Sequence, residues 1–261
     1  MTAALPPVTE AVAEAYRDLF HSIRALWKLA AIGFLILVVN GVIQHVLGLD
    51  DGSERVRLLA GFLFGAVQQF LLMPYYLAVH RLIVLGQVTQ SYRIVPGELG
   101  FQRFYWLSLA FDLLFFLPTV LTPLLSFARV RYQLAFSAIV LVIAIHLFLR
   151  LIIVFPAFAV DAPGASLKNA YADTKGRAWR ILAILLLAHV PFMLPLLALT
   201  AVFVRDEAAA RSWALYGEIA VSAFGIVLVT LLVVIASRLY LSLGDRTKGA
   251  GQAVGAPGDA Q

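Results

Sequence analysis

Five ionisable side chains interrupt otherwise apolar stretches of the chain: Asp112, His146, Arg150, His189 and Glu218. Burying a charge or an imidazole in lipid is costly, so groups of these types at such positions are the first candidates for a proton relay or a path for a polar substrate. The same groups also act as hydrogen-bonding glue between membrane helices, and that structural use is the one expected for most of them. His146 and Arg150 are four residues apart and share a helical face. A carboxylate such as Asp112 is placed to pair with Arg150 across a hairpin. Gln68 and Gln69, and Asn40, Gln44 and His45, admit the same two readings, while His80-Arg81 reads as a rim anchor.

A second group lies between apolar runs rather than within them. Lys168, Lys175, Arg177, Trp179 and Arg180, with Tyr171 interleaved, form a basic, aromatic loop suited to anionic lipid headgroups or to the acidic surface of an envelope protein partner. Generic anchoring at a membrane surface accounts for the same residues. No catalytic residue is assigned. HExxH, GxSxG and GxxxxGK[ST] do not occur, and no paired carboxylates stand at a recognisable cleft, so a non-enzymatic protein is expected, with no cofactor and no metal. The chain has no Cys, which excludes disulfides, thiolate nucleophiles and Cys-ligated zinc or iron–sulfur sites. The net charge is +5, but the Lys and Arg residues sit in twos and threes at the ends of apolar runs. That is a membrane-topology pattern and not a nucleic-acid-binding face.

The elements that must position these residues follow from composition. Apolar residues fill 62% of the 261 positions and charged residues 13%, against about 45–50% and 25% in an average soluble domain. With a mean hydropathy of +0.90, only the termini and short loops offer polar surface, so lipid must solvate the rest. Six apolar runs are read as spans: Ala25 to Gly48, Leu58 to Val79, Phe104 to Leu125, Tyr132 to Phe155, Trp179 to Val204 and Ala214 to Ala236. Each is long enough to cross about 30 Å of hydrocarbon at about 1.5 Å per residue. Asp112, Pro118 and Pro123 interrupt the third, for which a kinked span is expected rather than a re-entrant loop. Ahead of the spans, residues 1–9 read as a flexible tail. From Glu10 to Lys28, apolar positions recur at three- and four-residue spacing, as in an amphipathic helix at the interface. Residues 10–243 form one membrane domain, and the Gly- and Ala-rich residues 244–261 read as a disordered tail.

Charge counting orients the bundle. Arg55, Arg57, Arg129, Arg131, Arg205 and Arg211 fall on the side opposite the N-terminus, and the remaining fourteen of the 20 Lys and Arg share its side. The positive-inside rule then puts both termini in the cytoplasm.

The spans also show a repeated grammar. The first, third and fifth enter with a basic residue near a Trp (Arg24 and Trp27, Arg103 and Trp106, Arg177 and Trp179). The second, fourth and sixth leave with Arg-Leu (Arg81-Leu82, Arg150-Leu151, Arg238-Leu239). Pro96-Gly97 and Pro163-Gly164 precede two of the entries. Three repeated hairpins would produce this, as would snorkelling Arg and interfacial Trp alone. Gly61 and Gly65 make a GxxxG pattern that permits close helix approach.

The run Arg150-Leu151, Val154-Phe155-Pro156-Ala157, Ala165-Ser166-Leu167 and Asp173-Thr174-Lys175-Gly176-Arg177-Ala178-Trp179-Arg180-Ile181-Leu182 resembles the loop between helices four and five of a broad bacterial inner-membrane family. That family includes the membrane domains attached to some glycerophosphoryl diester phosphodiesterases. The resemblance implies a bacterial inner-membrane bundle. It carries over no catalytic residue, because the phosphodiesterase activity there resides in a separate soluble domain.

The expectation is an all-α, six-span transmembrane bundle that binds membrane lipid or an envelope partner as a scaffold, or alternatively a transporter or lipid translocator. The two differ physically. A translocator needs a polar cavity near the bilayer midplane involving Asp112, His146 or His189, whereas a scaffold has a packed interior and works through its loops.

Overall fold

The computed structural model describes residues 6–47, 54–89, 91–124, 130–205 and 207–249. Most of the two expected tails, and Arg129, fall outside these residues, as do the side chains of Arg55, Arg205 and Arg211. All regular secondary structure among the described residues is helical: α1 (Val8–Ala25), α2 (Trp27–Val46), α3 (Glu54–Leu85), α4 (Leu99–Leu124), α5 (Val130–Leu151), α6 (Val154–Ala159), α7 (Leu167–Asp173), α8 (Ala178–Arg205) and α9 (Glu207–Leu243). Helices α2, α3, α4, α5, α8 and α9 are long and apolar enough to span a membrane. The shortest, α2, has 20 residues, or about 30 Å of rise. Backbone groups in hydrocarbon have no water to bond, so a chain of this composition satisfies them within helices. Large apolar side chains such as Leu59, Leu63, Ile139, Val142, Leu194 and Leu197 stand exposed around the outside, which in a membrane is the lipid-facing surface.

The third apolar run is a continuous helix through Pro118. Helices α3, α4, α5, α8 and α9 pack in a ring, each on the next, and α2 lies outside the seam between α3 and α9. α1 lies against α8 and α9. Its apolar stripe, with Ala15 and Leu19 buried, is covered by protein, and Tyr16 donates to the Ala188 carbonyl at 2.9 Å.

One end of the bundle, called the collar here, carries α1, α6, α7 and the turn after α9. Burial is densest there, and it is also where the sequence-based boundaries move. The second run, expected to end at Val79, continues helically to Leu85, and the sixth, expected to end at Ala236, continues to Leu243. The fourth stops at Leu151, and Val154–Ala159 becomes a separate helix whose six residues are all buried. Apolar composition does not distinguish a lipid-facing end from one capped by protein, so these limits follow the packing instead. Residues 244–249, expected to belong to the C-terminal tail, pack against the collar for the same reason. Asp173 accepts the Arg246 and Thr247 backbone N–H groups, both at 3.0 Å, and holds Thr247 fully buried.

The glycine pattern is corrected as well. A Cβ at Gly61 or at Gly65 would meet nothing within 4 Å, so no helix approaches there. Close approach occurs instead between α2 and α9, where a Cβ at Gly33 would lie 3.0 Å from Ile226 and one at Gly225 would lie 3.5 Å from Leu37.

Candidate functional site

Within the ring lies a cavity of about 480 Å³, in the range of small-molecule sites. The Val154–Ala159 helix makes its floor. Being six residues long and buried throughout, this helix lies among α3, α4 and α9 at the collar end and presents Phe155 to the cavity. Arg81 fixes it: Arg81 Nε donates to the Ala159 carbonyl at 2.8 Å, a favourable place for a cation at a helix C-terminus. The Arg81 guanidinium also reaches Asp161 at 3.8 Å and Glu98 at 3.9 Å.

The walls combine aromatic rings with a short series of polar groups. Ring contacts run without a break from Tyr76 to Phe104, Phe155, Phe111, Phe148 and Phe115, with centroid separations from 5.0 to 6.5 Å, the spacing of favourable aromatic pairs. Gln68, Gln69, Tyr76 and His80 from α3 and Ser108 and Asp112 from α4 supply the polar atoms. His80 is 1% exposed, and its Nδ1 lies 2.7 Å from Ser237 Oγ. Ser237 gives its own proton to the Val233 carbonyl at 2.9 Å. With that proton on the Val233 carbonyl the hydroxyl accepts from His80, an assignment that puts the imidazole proton on Nδ1 and leaves Nε2 as an acceptor. The Gln69 Oε1 is buried without a hydrogen-bond donor among the described residues.

The five ionisable candidates do not converge. Asp112 lines the cavity. His146 is exposed on the outer side of α5. His189 Nδ1 bonds the Leu185 carbonyl of its own helix at 2.7 Å, and Glu218 packs against Gly41 near the far end. Arg150 does not pair with Asp112. It is 5% exposed, Nη2 donates to the Tyr171 carbonyl, and its guanidinium carbon stands 4.0 Å from the Tyr171 ring centroid. Thr174 Oγ1 in turn donates to the Arg150 carbonyl at 2.7 Å. The contact thus ties α7 to α5, while Phe148 and Ile152, two residues to either side of Arg150, line the cavity.

His80 is the residue the sequence reading placed elsewhere, as a rim anchor. The signal was the length of α3: once that helix is carried to Leu85, His80 moves inside the bundle and onto the face that already holds Gln69 and Tyr76, at intervals of seven and four residues.

The basic loop is built on α7, whose N-cap Ser166 accepts from the Asn169 N–H at 3.2 Å. Gly176 follows it in the left-handed region, at φ 74°, and turns the chain into α8. Lys168 and Lys175 are exposed, Arg177 is half-buried, and Arg180 Nη2 donates to the Pro6 carbonyl. Trp179 is 83% exposed, with Trp27 and Trp106 at 62% and 63%, so all three entry tryptophans point outward, as headgroup-level anchors do. The three exit arginines each tie down a different collar segment: Arg81 the α6 helix, Arg150 the α7 helix, and Arg238 the N-terminal α1 through Asp18 and Glu14.

These features define a polytopic integral membrane protein, an all-helical bundle of six membrane-length helices with a half-open cavity among α3, α4, α5 and α9. Compared with known proteins, the chain matches no protein-family model, no curated protein and no solved structure.

Proposed function

We propose that the protein binds a small amphiphilic molecule in its intramembrane cavity, acting as a carrier or translocator and not as an enzyme. The observation that supports this is the cavity itself. A scaffold has no use for a half-open cavity of about 480 Å³ lined by both aromatic and polar side chains in a bundle that is close-packed at the collar, whereas such a mixed lining at membrane depth suits a bound molecule. Aromatic walls with a few polar atoms suit a ligand that is largely apolar with one polar end.

In this reading the collar faces the cytoplasm of a bacterial inner membrane, on the strength of the charge asymmetry and of the loop that resembles the phosphodiesterase-associated membrane family. Exposed Lys168 and Lys175 beside Trp179 then lie at headgroup level, where they attract anionic lipid.

Native mass spectrometry of the protein in lipid nanodiscs tests the binding reading. A co-purifying small ligand is expected on the wild type and is lost in Gly65→Leu, a change that fills the cavity wall without meeting other atoms at its Cβ. Equal occupancy of both proteins would sink the reading.

A further inference from the structure

We propose that the ligand of this cavity is an organic cation, with Asp112 as its counter-charge and the aromatic wall as its cradle. The inference rests on the reading that the cavity binds a small amphiphile, and it names the charge that amphiphile carries.

The formal charge on the wall is one-sided. Among the described residues no Lys or Arg lines the cavity, and Asp112 is the one carboxylate that does. Asp112 has neither a hydrogen bond nor an ion pair among the described residues. Asp112 is exposed in a cavity that is half open; a carboxylate at membrane depth without a protein partner is costly, and a bound cation offsets that cost. Two further groups point the same way: Gln69 Oε1 has no donor, and His80 is left with an acceptor nitrogen once Ser237 has taken its Nδ1 proton.

The aromatic wall separates organic from inorganic cations. A metal ion of the magnesium or calcium type needs about six to eight oxygen ligands, and the described residues include no group of three or more His, Asp or Glu able to hold one. Five phenylalanines and Tyr76 line the cavity instead; aromatic rings attract a weakly hydrated organic cation through their negative quadrupole and cover its apolar remainder. The headgroup-binding chemistry of the collar is of the opposite sign, so the two surfaces do not compete for one ligand.

The test uses tetraphenylphosphonium and tetraphenylborate, which share a shape and differ in charge. Binding of each is measured to the full chain in phosphatidylcholine nanodiscs, with protein-free discs subtracted. Tetraphenylphosphonium is expected to bind saturably and at least tenfold more tightly than tetraphenylborate, roughly the discrimination one well-placed counter-charge provides. Asp112→Asn is expected to weaken it by about tenfold, Asp112→Glu to restore most of the loss, and Gly65→Leu to abolish it. Three results overturn the proposal. If Gly65→Leu abolishes binding but Asp112→Asn does not weaken it, or the two ions bind alike, the ligand's charge is wrong while the cavity reading stands. If Gly65→Leu leaves tetraphenylphosphonium binding unchanged, the cation does not occupy this cavity. The mass-spectrometric comparison then decides the cavity reading on its own.

Discussion

Glu218 of α9 occupies the space in which a side chain on Gly41 of α2 would begin: a Cβ placed there would lie 1.8 Å from Glu218 Oε1 and 2.8 Å from its Cγ. The carboxylate is therefore accommodated by the absence of a neighbouring side chain, and it is steadied on its own helix by Ser222 Oγ, which donates to Oε1 at 3.3 Å. This is a packing role, although Glu218 is an intramembrane acid and so a default candidate for chemistry.

Gly41→Ala should consequently force Glu218 into another rotamer and cost about 1–2 kcal/mol, from lost hydrogen bonding and strain. On a Glu218→Ala background the same substitution should be neutral or stabilising, since Ala is favoured over Gly in a helix by about 1 kcal/mol. Thermal unfolding of the four proteins of this cycle in one detergent measures the coupling. Additive effects would show that the two residues do not share this space.

The pair Arg150 and Tyr171 makes a second, separable prediction, because Tyr171 offers both a backbone carbonyl and a ring. Tyr171→Leu removes only the ring and should cost about 1 kcal/mol. Arg150→Met also leaves the carbonyl without its donor and should cost more, about 2–3 kcal/mol. The measurement is unfolding midpoint together with protease cleavage between residues 160 and 178, which should quicken in the order wild type, Tyr171→Leu, Arg150→Met. Asp112→Asn should leave the cleavage unchanged, since Asp112 and Arg150 do not meet.

How far the sequence carries can be judged from these same residues. Six spans, the continuous third helix and the outward tryptophans are legible because lipid imposes length, apolarity and headgroup-level aromatics on any spanning helix. His80, Gln69 and Tyr76 are individually visible, but their convergence with Asp112 is not, since it requires knowing that α3 continues through the collar and that a six-residue helix closes the ring beneath them. Gly61 and Gly65 mislead for a related reason. Glycine spacing identifies a face that could be approached, and here Gly65 lines the cavity while the close helix contact uses Gly33, Gly41 and Gly225. The three Arg-Leu exits are legible as a pattern, but their partners are long-range: Asp18 is 220 residues from Arg238.

That last contact sets the docking of α1. Asp18 has a side chain 12% exposed and bonds Arg238 Nε directly, whereas Glu14 is 33% exposed and stands 3.8 Å away. Asp18→Asn should loosen α1 by about 1–3 kcal/mol, the range of a hydrogen bond to a charged group, and Glu14→Gln by about 0.5 kcal/mol or less, as a partly solvated pair. Hydrogen exchange of the amides in 8–25 reports the difference. Exchange that rises equally in both variants would mean that apolar packing of Ala15 and Leu19, and not the ion pair, holds the helix.

Tyr92, in the connection between α3 and α4, supplies a pH signature. Its phenol donates to the Leu71 carbonyl, and burial pushes its pKa up to about 12 from an unfolded value near 10. The folded state thus holds this proton more tightly than the unfolded state does. The associated stability is fully present below pH 10 and is lost as pH rises from 10 through 12. Tyr92→Phe removes both the hydrogen bond and the titration. It should be less stable than the wild type at neutral pH and should approach it as pH climbs through that window. Buried tyrosines elsewhere titrate in both proteins and cancel in the difference. A stability gap between wild type and Tyr92→Phe that stays constant from pH 9 to 12 would show that the phenol is not buried as the Leu71 contact requires.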